Sequence, residues 1–231
     1  MTPRFLIAAL LMLPGPALAA DRVATVTSFD RIRVDGPYRV EIVTGRGTSA
    51  KISGDRAAID RVDIAVQGTL LTIRTNRTAW QGGWPDDEKG GPVIIRLTTG
   101  ELRGAAISGS GSVMIDKVRG PRLSLAVEGS ARMTIGRVET DRLDLGLAGS
   151  GNLTLAGATK ALTAIVRGAA TIDGAGLIAN DLTVTSESAG NVTLGAKLSA
   201  KVVSSGAGGV AIGGKPACTV NALGSGEVVC G

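Results

Sequence analysis

Leu143-Asp144-Leu145-Gly146-Leu147-Ala148-Gly149-Ser150-Gly151-Asn152-Leu153-Thr154-Leu155 decides how this chain folds. Apolar residues alternate with polar or small ones on both sides of a Gly-Ser-Gly turn. A period of two marks strands with one face buried. The unit is repeated along the chain. Small-residue turns fall at Gly109, Gly129, Gly149, Gly168, Ser188, Gly206 and Gly224, spaced 20, 20, 19, 20, 18 and 18 residues apart.

Fixed offsets from these turns read as columns. Four places after each turn stand Val113, Met133, Leu153, Ile172, Val192, Val210 and Val228. Six places after stand Ile115, Ile135, Leu155, Gly174, Leu194, Ile212 and Cys230, with Gly174 the one gap. Six places before stand Arg103, Leu123, Leu143, Leu162, Leu182, Ala200 and Cys218, and Leu102 suggests a one-residue slip in the first coil. Four places before stand Ala105, Leu125, Leu145, Ala164, Val184, Val202 and Val220. The intervening positions are mostly small or polar, such as Ser124, Asp144, Thr163, Thr183 and Thr154.

A single coil of this kind cannot bury its apolar face, but stacked coils share one narrow continuous core. The expected fold is therefore all-β: a repetitive parallel β-helix or solenoid of about seven coils of 18–20 residues, spanning 101–231. Five aromatic residues in the whole chain fit a thin aliphatic core better than a thick one. An antiparallel two-sheet sandwich is the alternative that alternation alone leaves open.

Residues 21–100 read as a less regular β region, continuous with the repeats. Phe29 to Val34 and Tyr38 to Thr44 alternate as strands around Asp35-Gly36-Pro37. Asp55 is placed to cap a short helical turn over 56–61. Val62 to Val66 and Leu70 to Thr75 form a hairpin pattern around Gln67-Gly68-Thr69. The Gly- and Pro-rich stretch 76–92 breaks every pattern and reads as a loop.

Residues 1–20 read as a signal peptide: Arg4, the apolar run Phe5 to Leu13, and Ala17-Leu18-Ala19 before a cleavage point beside Ala20. No later segment is apolar enough, over enough residues, to span a bilayer as a helix. The expectation is an exported protein, periplasmic or at the cell surface. Without Arg4 the mature chain has 24 basic and 20 acidic residues, a mild excess that does not argue for nucleic acid.

The opening Phe29-Asp30 through Tyr38-Arg39-Val40-Glu41-Ile42, the strand Gly68-Thr69-Leu70-Leu71-Thr72-Ile73 and the later Gly-Ser-Gly coils together resemble the head GIN domain family of "putative autotransporter adhesins". The resemblance covers nearly the whole mature chain. It implies an exported β-helical domain in an adhesin-like role, and brings no catalytic residues with it. The chain shows no translocator barrel of the kind an autotransporter carries.

Four features are candidate sites. Cys218 and Cys230 fall in core columns of the final coil, and two cysteines in one exported chain usually pair; the alternative, a redox or metal pair, lacks a CxxC spacing and His partners. A closed loop of this size is worth about 3 kcal/mol in the chain-entropy model. The loop 76–92 holds Trp80, Trp84, Asp86, Asp87 and Glu88, an interaction loop or a cover for a sheet edge. Its acids match no calcium-loop spacing. The third side of the coils gathers Lys117, Arg119, Arg122, Arg137, Arg142, Lys160, Lys197 and Lys215 against Glu139, Asp141 and Asp181. That strip reads as a surface for a polyanionic envelope component or as an ordinary solvated face. The Gly-rich stretches are turns, since none ends in the Gly-Lys-Ser/Thr of a phosphate loop.

Histidine is absent, which removes its acid–base, nucleophile-activating and metal-binding roles. No catalytic residue, metal or cofactor is expected. The function read here is a non-catalytic envelope interaction or structural role, with homo-oligomerisation open. The alternative is a carbohydrate-active β-helix enzyme or polysaccharide-binding module, of which the enzyme would want paired carboxylates.

Overall fold

The computed structural model describes residues 20–76 and 92–231. In chain order the elements are β1 (Ala20–Ala24), β2 (Arg31–Asp35), β3 (Arg39–Thr44), β4 (Ser49–Gly54), α1 (Arg56–Asp60), β5 (Val62–Gln67), β6 (Leu70–Thr75), β7 (Ile94–Thr99), β8 (Gly104–Gly109), β9 (Ser112–Gly129), β10 (Arg132–Gly149), β11 (Asn152–Gly168), β12 (Thr171–Ser188), β13 (Val192–Ser204), β14 (Val210–Gly214), β15 (Ala217–Ala222) and β16 (Val228–Cys230). The chain is all but entirely β, and from β8 onward it is a solenoid.

The columns become ladders. Val113, Met133, Leu153, Ile172, Val192, Val210 and Val228 pair one on the next in parallel register. Leu123, Leu143, Leu162, Leu182, Ala200 and Cys218 do the same on the other side of the turn. The stacked pairings are parallel, which rules out the antiparallel sandwich. There are about 6 turns of solenoid, against the seven expected. Seven turn residues bound six full repeats, and the last coil ends in the short β16. Leu102 is buried while Arg103 is exposed, so the slip in the first coil is real. At the Gly174 gap, Leu194 Cδ2 lies 2.7 Å from where a β-carbon would sit, so the next coil fills the space.

Two further coils lie upstream, out of sequence order. Gly36 is a turn of the same solenoid: Ile32 pairs with Ala105, Val34 with Ile107, Val40 with Val113 and Ile42 with Ile115. On the outer side of this coil, Leu71 and Ile73 stack on Ile32 and Val34, and Ile95 and Leu97 on Val40 and Ile42. Beyond β6 and β7 the direction changes. Strand β5 runs antiparallel to β6, β4 to β7, and β1 to β4. The expected helical turn forms as α1, with the Asp55 carboxylate accepting from the Ala57 N–H at 2.9 Å. Ile59 of α1 is buried in the same core.

One more ladder runs two places before the turns: Ile107, Val127, Leu147, Val166, Ser186 and Ser204. It is buried as far as Ser204, and Ser186 and Ser204 carry hydroxyls with no hydrogen-bond partner among the described residues; the next rung, Ala222, is exposed. An unpaired buried hydroxyl costs about 1–3 kcal/mol. Ser186→Ala is therefore expected to leave stability unchanged or raise it, measured by urea melts. A loss above about 1 kcal/mol would show that the hydroxyl is bonded after all.

Candidate binding face and stapled end

On the sheet formed by β2, β8 and the second halves of β9 and β10, side chains alternate between core and solvent. Ile32 and Val34 point in, so Arg31 and Arg33 point out, and Arg33 lies next to Ala106 in register. The outward rows across these strands are short: Gly104 and Ala106 on β8, Ser124 and Ala126 on β9. Long side chains beside short ones leave a groove of about 770 Å³, and Arg31, Arg33, Arg103, Arg122 and Arg142 all line it. Arg122 and Arg142 belong to the expected basic strip. The other three come from segments that the sequence pattern keeps apart from it. The Arg-x-Arg spacing around Ile32 was the available signal.

Three other cations of the strip, Arg119, Arg137 and Lys160, are paired with neighbouring carboxylates, while Lys117, Lys197 and Lys215 have no acidic partner among the described residues. Glu139 receives Arg119 Nε at 2.6 Å and also lies 2.6 Å from Arg137 Nε. Lys160 meets Asp141 at 2.8 Å, and Asp181 accepts from Ser199 at 2.6 Å. The Arg119 hydrogen bond holds the Glu139 carboxyl below the usual glutamate range, and Arg137 adds to it. A carboxylate depressed in the folded state stabilises that state above its unfolded pKa. The contribution is lost as the pH falls through the lowered value. Glu139→Gln should therefore lower the Tm at neutral pH, and the gap to the unaltered chain should close in acid. A gap independent of pH would show that the ion pairs contribute nothing.

At the other end Cys218 and Cys230 are bonded, with Cα atoms 6.4 Å apart. Cys218 pairs with Ala200 and Cys230 with Ile212, the rows their columns gave. They are not core positions, however. Cys218 is exposed and Cys230 half-buried, because among the described residues no coil covers the one that holds them. The bond thus fastens a coil with one neighbour instead of filling an interior. Reduction is expected to speed amide exchange in residues 217–230 first, while amides around Leu143 keep their protection. Uniform loss of protection would show the staple to be global.

Trp80, Trp84, Asp86, Asp87 and Glu88 lie outside the described residues. Among the described residues no cluster of three or more His, Cys, Asp or Glu side chains is placed to hold a metal, and no helix is long and apolar enough to cross a membrane.

A family model described as "Putative auto-transporter adhesin, head GIN domain" matches residues 28–216. Among solved structures, one described as a putative adhesin from Bacteroides fragilis superposes with a TM-score of 0.80 at 20% identity, covering 91% of this chain and 95% of that one. A putative adhesin from Parabacteroides distasonis gives 0.68 at 21% identity, over 93% of this chain and 97% of its own. A protein from the same species described as a putative lipid binding protein gives 0.68 at 20% identity, over 94% and 98%. At these identities the likeness is one of fold. No curated protein matches the chain.

Proposed function

The chain belongs to the head GIN domain family, and from that premise we propose that it is an exported, non-catalytic solenoid that recognises a component of the cell envelope or cell surface through its outward rows. The observation that carries the reading is the stacking itself. Parallel register repeats each outward position along the solenoid axis, as in Ser124, Asp144, Thr163 and Thr183. A rigid face of repeated side chains suits recognition of an extended or repetitive partner. The Cys218–Cys230 bond supports export, since such bonds persist in oxidising compartments. The signal-like residues 1–20 support it from the sequence.

The experiment is fractionation of the native cell followed by cross-linking in the envelope. The mature protein should start at Ala20 or Asp21, fractionate outside the cytoplasm and cross-link to an envelope or surface component. Recovery of Met1 on cytoplasmic protein would overturn the reading.

A further inference from the structure

The groove at the first coils gathers five arginines around one depression. Its five guanidiniums fall into two groups. Arg33 meets Asp35 at 3.2 Å, Arg103 meets Glu101 at 2.9 Å, and Arg31 has only Asp30, at 3.9 Å. Arg122 and Arg142 have no acidic partner among the described residues. They occupy the same register position on adjacent strands, about 4.8 Å apart at the backbone. Arginines that share a register row and have no carboxylate partner can present planar double donors to an anion from outside.

The floor between them decides which anion. Gly104, Ala106, Ser124 and Ala126 leave it shallow and flat, with Arg31 lying along one edge. A β-carbon at Gly104 would already be 3.5 Å from Arg31 Cγ. Such a floor admits an extended chain laid across the strands. The advance from one strand to the next is close to that of one sugar unit along a polysaccharide. The outward row continues past Ser124 to Thr163 and Thr183, whose hydroxyls suit sugar hydroxyls. Asp144 interrupts this row and limits the anion-binding part to the arginine side. Single-stranded nucleic acid binds on aromatic platforms, and peripheral membrane binding needs an apolar face. The groove's lining has no aromatic residue, and five arginines rim its apolar floor.

We infer that this groove binds an acidic polysaccharide, its carboxylate or sulfate groups seated on Arg122 and Arg142 with Arg31 closing the side. The inference rests on the proposed recognition role and names the ligand class and the site.

The test uses the mature, disulfide-bonded chain and polygalacturonate, with uncharged dextran, oligodeoxythymidylate and phosphatidylglycerol vesicles as comparisons. The double variant Arg122→Gln/Arg142→Gln should lose at least about tenfold in affinity for polygalacturonate, which is about 1.4 kcal/mol. Arg132→Gln, which removes an exposed charge from the start of β10, outside the groove, should retain binding. Ala106→Leu, which fills the floor without changing charge, should weaken binding as well. Dextran should not bind. Equal binding by the double variant and Arg132→Gln would overturn the site, as would tighter binding of the oligonucleotide or the vesicles through the same arginines. Failure of the broader reading looks different: the unaltered chain would then be missing from the envelope, whatever its groove binds. Thermal melts of all three variants establish that each is folded before binding is compared.

Discussion

Leu143→Ala is expected to lower the unfolding free energy by about 2–5 kcal/mol, as truncations of buried leucines do. Leu143 is fully buried and lies in register between Leu123 and Leu162. Both neighbours are carried on strands whose backbone hydrogen bonds fix the spacing at about 4.8 Å. The column therefore cannot close over the lost methyl groups, and the cavity persists. Thr154→Ala is the comparison. Thr154 is on the next coil, exposed, and one residue along from Leu153. Its loss should stay within about 0.5 kcal/mol. Urea melts of the two variants decide it. Equal losses would mean that the assignment of inward and outward columns is wrong. The urea m-value should be compared too, because a solenoid held by nearest-neighbour contacts can unfold coil by coil.

That column was legible because it depends only on residues about 20 apart, which repetition makes visible. The upstream coils follow the same rule but were hidden. Val40 and Ile42 stand four and six places after Gly36, as Val113 and Ile115 do after Gly109. The next coil in space, however, begins only at Gly104, after an excursion that adds another coil on the far side. Periodicity along the chain cannot see stacking that leaves chain order. The same cause separated Arg31 and Arg33 from Arg122 and Arg142. The cysteines show a different limit. Their columns placed them on the right rows, but burial of a row depends on a coil above it, and among the described residues none lies above theirs. The serine rungs at 186 and 204 break a ladder that is Ile107, Val127, Leu147 and Val166 elsewhere. A polar residue at a core position carries no sign of which way it faces.

Gly149→Ala should be about as damaging as the loss of a core leucine, with no apolar atom removed. Gly149 has φ +107°, and the site is crowded as well: a β-carbon there would lie 2.5 Å from the Gly129 carbonyl oxygen. The contact is with backbone of the preceding turn, itself held by the Ser150 N–H donating to that same carbonyl at 2.8 Å. Forcing a side chain into a left-handed conformation costs about 1–2 kcal/mol. Overpacking against a fixed neighbour adds about 1–3 kcal/mol. The expected loss is therefore about 2–5 kcal/mol, reached through strain instead of a cavity. Gly146→Ala provides the control on the same strand. Its φ is not positive, and the nearest atom to an added β-carbon is the Leu125 carbonyl oxygen, at 3.9 Å. That change should stay within about 0.5 kcal/mol. If the two alanine variants melt alike, the turns are not in close contact, and glycine at 109, 129, 149 and 168 owes its place to something other than stacking.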